Sequence, residues 1–441
     1  MLTKLFLGFK SEVHNLSAIH SMVTNKYEGC CSVKEILLII VSGEDKPGVT
    51  SAVANVLAEY EVNVLDIGQS VIHNNLSLGV LAQVPAHRES SPVLKDVLFK
   101  LHDLDMQVRF EPVSEASYAD WVAQQGKPQH IVTLLARYIS AEQIARITQV
   151  STEQGLNIDS ILRLSGRVEL DRVDAKSKAC VEFSIRGDGC DIAEYRKSLL
   201  ELAGQLNVDI AYQEDSVFRR HRRLVVFDMD STLIDAEVID ELAVEAGVGE
   251  AVSGITARAM AGDIDFQTSF KERVALLKGL NADVLEKVEA RLELTEGAEY
   301  LMSTLKSLGY KTAILSGGFT YFAEGIRQRL GIDYMYANEL DIKDGVVSGE
   351  VSGQIVDGPR KAELLRQLAD KEGICLEQTV AVGDGANDLP MLGIAGLGIA
   401  FRAKPLVKAN AKQAISNIGL DGVLYLMGIR DRDSSSSAGS R

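Results

Sequence analysis

Histidine is absent from the whole second half of this 441-residue chain, since all seven (His14, His20, His73, His87, His102, His130, His221) lie before residue 222. Chemistry in that half therefore uses neither a histidine base nor a His-ligated zinc. Cysteine is scarce as well. Cys30, Cys31, Cys180, Cys190 and Cys375 are odd in number and irregular in spacing, which excludes a disulfide framework and fits a reducing, cytoplasmic compartment. Long apolar runs are missing too: Ile36 to Val41 falls far short of the ~20 residues of a membrane helix, so no membrane partner is expected. Basic residues are outnumbered, 46 Lys+Arg against 62 Asp+Glu for a net charge of −16. That balance disfavours nucleic acid, which is bound largely through Lys and Arg on phosphates. No GxxxxGK[ST] occurs, which removes a Walker phosphate loop.

What is present is a globular composition, 46% hydrophobic and 24% charged, with length for about three domains at ~150 residues each. The acidity is uneven. Residues 1–223 carry 24 basic and 29 acidic side chains, while residues 224–441 carry 22 and 33. Residues 1–34 lack sustained periodicity and are expected to be a disordered leader; DRDSSSSAGSR (431–441) is expected to be a disordered tail.

From Glu35 a buried-strand run, EILLIIVSG, meets the breaker Asp45-Lys46-Pro47-Gly48, and an amphipathic helix follows through Val49, Val53, Val56, Leu57 and Tyr60. NVLDIGQSVI, LSLGVLAQV, PVLKDVLFKLHDLD and MQVRFEPV complete β-α-β-β-α-β, the ferredoxin-like order. After a polar stretch containing Trp121 the order recurs, from HIVTLLAR through DIAEYRKSLLELAGQL to NVDIAYQ. Two copies, 35–113 and 129–213, are predicted. Arg219-Arg220-His221-Arg222-Arg223 then reads as a solvated linker paired to neighbouring carboxylates.

This tandem resembles the ACT domain, a small amino-acid-sensing module. In that family a Gly-containing turn after the first strand borders the ligand, because a backbone without Cβ lets amides approach a carboxylate. The resemblance makes Asp45 and Gly48 ligand candidates in the first copy, with L-serine as the expected effector. Gly48 equally fits a plain tight turn. The second copy has Ala136-Arg137-Tyr138-Ile139-Ser140 there, without glycine. A homodimer is expected, with the two copies as its interface.

The second half opens with LVVFDMDSTLI. Four apolar residues before Asp228-Met229-Asp230 describe a buried parallel strand whose carboxyl end opens into a crevice, where α/β sheets bind ligands. Carboxylates at i and i+2 project to one side. KTAILSGG ends at Ser316-Gly317-Gly318, a hydroxyl and backbone amides suited to phosphate oxygens. TVAVGDGANDLPML ends on Asp384, Asn387 and Asp388, hard oxygen donors of the kind Mg²⁺ prefers. Between them, Lys361 opens the helix KAELLRQLAD, a fixed cation beside clustered negative charge. Each group alone is unremarkable as a capped turn or solvated side chain; four together at strand ends indicate a site.

This order resembles the haloacid dehalogenase superfamily, and FDMDSTLI, SGGF and VGDGANDLPML together resemble its phosphoserine phosphatase branch, over about 220–428. The resemblance implies an α/β fold, a Rossmann-like core at 222–430 with an inserted helical cap at about 236–295. It implies Asp228 as the nucleophile that becomes an aspartyl-phosphate and Asp230 as general acid, then base. It implies Ser316 and Lys361 as holders of the phosphoryl group, Asp228, the Asp230 carbonyl and Asp384 as Mg²⁺ ligands, and Asp388 and Asn387 as their support. Glu237 would meet the ammonium of O-phospho-L-serine and Arg273 its carboxylate, with Met260, Phe266 and Gly317 lining the substrate. The expected activity is Mg²⁺-dependent hydrolysis of phosphoserine, the last step of serine biosynthesis. Transfer to another acceptor, another small phosphomonoester, or an amino-acid-binding regulator are the alternatives.

Overall fold

The computed structural model describes residues 35–124, 126, 129–169, 176–187, 191–261 and 263–435. The expected leader and residues 436–441 of the expected tail lie outside them. Two units, divided at Gly126/Lys127, are considered separately.

In the first unit, β1 (Glu35–Glu44), α1 (Val49–Glu59), β2 (Asn63–Ile72), β3 (Asn75–Val84), α2 (Ser90–His102) and β4 (Gln107–Val113) form an antiparallel sheet in the order β2-β3-β1-β4. Alternation along β3 buries Leu76, Leu78, Val80, Ala82 and Val84, the period-2 pattern of a half-covered strand. Val53, Leu57, Val93 and Val97 join that core from the two helices. The polar stretch with Trp121 is itself helical, α3 (Glu115–Ala123), started by Ser114, whose side chain accepts from Ser117 N.

The second unit repeats the arrangement with β5 (Gln129–Ala136), α4 (Ala141–Glu153), β6 (Asn157–Arg163), β7 (Ala179–Arg186), α5 (Ile192–Leu206) and β8 (Asp209–Glu214), in the order β6-β7-β5-β8. It then continues as an α/β sheet from β9 (Leu224–Phe227). Four short helices follow: α6 (Val238–Glu245), α7 (Gly249–Ala261), α8 (Phe266–Leu276) and α9 (Asp283–Glu289). The chain returns through α10 (Ala298–Ser307), β10 (Lys311–Phe319), α11 (Thr320–Leu330), β11 (Tyr334–Lys343), β12 (Val346–Ser352) and α12 (Gly358–Glu372). It ends with β13 (Thr379–Gly383), α13 (Leu389–Ile394), β14 (Leu397–Phe401), α14 (Pro405–Asn410), β15 (Gln413–Ile415), α15 (Gly422–Leu426) and α16 (Asp431–Ser435).

The sheet order is β12-β11-β10-β9-β13-β14-β15, parallel except for the β11–β12 hairpin. β9 is central and fully buried, which explains its unbroken apolar run. The four helices after it are the expected cap, held at its far side by the β11–β12 hairpin: Gly279 N donates to Val347 O and Val347 N to Leu280 O, both at 2.8 Å.

The second ferredoxin-like unit shares a core with this sheet, as Leu135, Leu164, Cys180 and Ala211 pack in the same cluster as Phe227 and Tyr425. Polar contacts fasten it. Asp209 accepts from Ser416 N at 2.9 Å and Asn417 N at 2.8 Å, and Arg137 makes a two-pronged bond to Glu296 at 2.7 and 2.8 Å. The turn that in this copy lacks glycine is thus a docking contact.

Two expectations are corrected. The Arg219–Arg223 segment is not a solvated linker: Arg220 and Arg223 are exposed, but Arg219 and Arg222 are 1% and 5% exposed, because the segment threads between two packed domains. Arg219 ion-pairs with buried Glu182. The expected tail is ordered at its start, since Asp431 accepts from Gly166 N at 2.6 Å and Tyr425 Oη at 2.8 Å. Among the described residues, Cys180 and Cys375 are free thiols, and no helix is long and apolar enough to cross a membrane.

Candidate active site

Three neighbouring parallel strands deliver the polar groups. Phe227 pairs with Ile314 on one side and Val382 on the other, so Asp228 and Asp384, just past the ends of β9 and β13, stand at nearly the same level as Ser316 in the last part of β10. Asp228 N donates to Val382 O at 2.9 Å, and Asp228 Oδ1 accepts from Met229 N at 2.7 Å. The other oxygen, Oδ2, lies 2.8 Å from Lys361 Nζ, and that ammonium reaches Asp388 Oδ1 at 2.7 Å.

Lys361 is fully buried in the first turn of α12, whose start is fixed by Asp357: its side chain accepts from Arg360 N. Burial works against the ammonium, but Asp228 and Asp388 outweigh it and hold its pKa above the ordinary lysine range. Asp388 is held on both oxygens, since Oδ2 accepts from Gly385 N at 2.9 Å. A Cβ on Gly383 would overlap that carboxylate, so glycine is what lets Asp388 pack against the end of β13.

Asp228, Asp384 and Asp388 each offer an oxygen within 4.8 Å of the others. Three carboxylates against the single Lys361 ammonium leave an excess of negative charge in a buried place. Burial first, then Asp388, pushes Asp384 up to about 7, and burial and Asp388 also raise Asp228 well above the usual carboxylate range. Such a donor set, hard, anionic and short of cations, fits a divalent ion of the Mg²⁺ kind.

Asp230 stands apart from that trio. Its Oδ1 accepts from Val238 N at 3.2 Å, and burial followed by the nearby Glu237 pushes its carboxyl up to about 8. On β10, Ser316 is fully buried and accepts from Gly318 N at 2.8 Å, which leaves the hydroxyl proton free to donate. The turn is braced by Asn338, which donates to Gly317 O and accepts from Val356 N, each at 2.8 Å.

The cap supplies the remaining expected residues. Glu237 Oε1 accepts from Ser231 Oγ at 2.8 Å. Its carboxyl is raised by loss of solvent, with Ser231 and Arg273 opposing and Asp240 adding to the rise. Arg273 is partly buried and feels Asp240, Glu237 and Asp230, which places it over the same crevice. Phe266 stacks on Phe270 at 6.0 Å, and Phe270 meets Phe319 at 5.7 Å, an aromatic chain from cap to sheet. A Cβ on Gly317 would lie 2.9 Å from the Phe266 ring. Met260 is in the last turn of α7; its side chain lies outside the described residues. The Asn387 carbonyl abuts Gly358 at the start of α12. In the first unit, Gly48 caps α1 in the left-handed region, φ 99°, and Asp45 N donates to Asn74 O at 2.7 Å.

Sequence reasoning missed Asn338, Thr232, whose hydroxyl lies 3.2 Å from Asp384 Oδ1, and Gln267, whose amide donates to Asp357 Oδ2 at 2.6 Å. Only Asp357 left a local trace, as an Asp before Gly-Pro at a helix start.

Residues 35–111 match the ACT domain family and residues 222–396 the haloacid dehalogenase-like hydrolase family. The chain is 41% identical over 393 residues to a phosphoserine phosphatase of Streptomyces coelicolor, covering 89% of this chain and 92% of that one. It is 39% identical over 397 residues to one of Mycobacterium tuberculosis, covering 90% and 94%. A solved haloacid dehalogenase family hydrolase from Salmonella enterica serovar Typhi superposes with a TM-score of 0.58 at 31% identity, over 68% of this chain and 98% of that one. With its buried Asp228–Lys361–Asp388 bridge at the strand ends, the chain belongs to the phosphoserine phosphatase family of haloacid dehalogenase-like hydrolases.

Proposed function

We propose that the chain hydrolyses O-phospho-L-serine to L-serine and phosphate through an aspartyl-phosphate on Asp228, with Mg²⁺ as cofactor. The observation that carries this reading is the Lys361 ammonium, 2.8 Å from Asp228 and 2.7 Å from Asp388. It opposes the rise that burial and Asp388 impose on the Asp228 carboxyl, and it stands beside a place where phosphoryl oxygens would gather. Asp228 attacks phosphorus in line with the serine oxygen. Asp230, whose pKa of about 8 keeps it protonated at neutral pH, gives its proton to that oxygen as the P–O bond breaks. As a carboxylate it then takes a proton from the water that attacks the phosphoryl group, which restores Asp228 and releases phosphate. The Ser316 hydroxyl and Lys361 hold the phosphoryl oxygens. Asp228, the Asp230 carbonyl and Asp384 would hold Mg²⁺, with Asp388 and Asn387 in support, and the bound ion would supply neutralisation of charge where two anions meet.

The cap sets substrate choice: Arg273 forks onto the carboxylate, Glu237 takes the ammonium, and Met260 and Phe266 shield the aliphatic part. The same reading includes L-serine as effector at Asp45–Gly48, supported by the left-handed Gly48 turn, where the nearest atom to a Cβ position would be Ser51 Oγ at 4.0 Å. It also includes a homodimer, supported by the exposed Val64, Ile67 and Ile72 on edge strand β2, and a cytoplasmic location, which rests on the reaction. The test is phosphate release from O-phospho-L-serine with and without Mg²⁺. Turnover should require the metal and vanish in Asp228→Asn; release by that variant would overturn the reading.

A further inference from the structure

Where the second ferredoxin-like unit meets the phosphatase sheet there is a cavity of about 590 Å³, lined by none of the catalytic, substrate or metal groups assigned above. Arg196 from α5, Tyr212 and Gln213 from β8, Arg222 from the connecting segment, and Lys412 and Gln413 at β15 line it. Three cations face it against one carboxylate, Glu214, among the described lining residues.

Arg222 is the unusual member. It is 5% exposed, yet no carboxylate pairs with it among the described residues. Its Nε reaches Arg219 O and its Nη2 reaches Gln213 Oε1, both at a long 3.4 Å, and Nη1 is buried with no partner at all. Arg219 beside it is already committed to Glu182 and adds repulsion, which together with burial lowers the Arg222 pKa to about 10. A buried guanidinium with neutral, distant acceptors is costly unless a counter-charge is supplied. The other two cations are held at the rim through carbonyls: Lys412 Nζ donates to Ala395 O at 2.8 Å and Arg196 Nη2 to Lys412 O at 2.9 Å. Each keeps further donors for a ligand.

We infer that this cavity binds a small oxyanion, a phosphate or carboxylate compound, with Arg222 as its buried anchor and Arg196 and Lys412 closing over it. Because the lining comes from both domains, such a ligand would clamp the second ferredoxin-like unit to the β14–β15 edge of the catalytic sheet. The interface would then be tighter when the anion is bound.

The test is thermal unfolding of the full chain, without metal, in chloride buffer with increasing inorganic phosphate or, separately, malonate. Arg222→Met removes the unpaired charge while keeping the bulk, and it leaves anion binding at the catalytic crevice alike in both proteins. Without added anion the variant should melt no lower than the parent. The parent should gain stability with at least one anion, and the apparent affinity behind that gain should fall at least tenfold in Arg222→Met. A gain with phosphate alone or malonate alone identifies which chemistry the cavity takes. Should Arg222→Met fail to fold, Lys412→Met decides on the same readout, with a weaker but clear loss expected. Equal responses of parent and variants to both anions would overturn the inference.

Discussion

The side-chain amide of Gln267 in the cap donates to Asp357 Oδ2 at 2.6 Å, while Asp357 Oδ1 accepts from Arg360 N at 3.0 Å and so caps the helix that carries Lys361. One carboxylate thus joins the cap to the helix start that sets the buried ammonium. A hydrogen bond of this kind contributes about 0.5–1.5 kcal/mol, so Gln267→Ala should cost up to about tenfold in kcat/KM by favouring the open cap. Stability in urea should barely change. Unaltered kinetics would show that the bond does not hold the cap.

Gly318 leaves no room for a side chain beside the acid. A Cβ there would stand 2.6 Å from Asp230 Oδ2, closer than such atoms approach, and a tight 3.1 Å from Ser316 Oγ. Gly318→Ala should therefore lower kcat about 10²-fold or more by displacing the acid, with a native circular dichroism spectrum. Parental kcat would mean that Asp230 has room to move without loss.

Arg273 tests substrate choice. If its fork grips the carboxylate, Arg273→Ala should reduce kcat/KM for phosphoserine by about 10²-fold, as the loss of a charge-assisted bidentate contact implies, and barely affect phosphoethanolamine, which lacks that group. Equal losses on both would make Arg273 a packing residue of the cap.

The metal site has a pH signature whose sign can be worked out. Burial and the neighbouring Asp388 raise Asp384 from an ordinary 3.8 to about 7. A carboxyl raised on folding contributes stability below its unfolded pKa and loses that contribution as pH rises to the folded one, here between about 4 and 7. To ligate a cation it must give up its proton, so apparent Mg²⁺ affinity should increase by about tenfold per pH unit below 7 and level off above. Calorimetric titrations at pH 6 and pH 8 should differ accordingly. Equal affinities would remove Asp384 from the ligand set.

How far the sequence could be read depended on whether the signal was local. β9 was legible because Leu224–Phe227 is apolar throughout and ends on Asp228, a pattern imposed by burial on both faces. The cap was legible because some 80 residues do not fit a βα connection. Arg219 and Arg222 misled because a basic run looks solvated in one dimension, and only the packing of Leu135, Leu164 and Cys180 against the catalytic sheet makes that segment internal. Gln267 and Asn338 were silent because their partners lie 90 and 21 residues away, with no period to connect them.

The chemistry itself is tested most directly by trapping the phosphoryl group. The full chain with Mg²⁺ is mixed with ³²P-labelled O-phospho-L-serine, quenched in acid within milliseconds, and digested to locate the label. Label on the peptide containing Asp228, released by hydroxylamine and absent from Asp228→Asn, is the predicted result. Phosphate release at the parental rate with no label on Asp228 would contradict it.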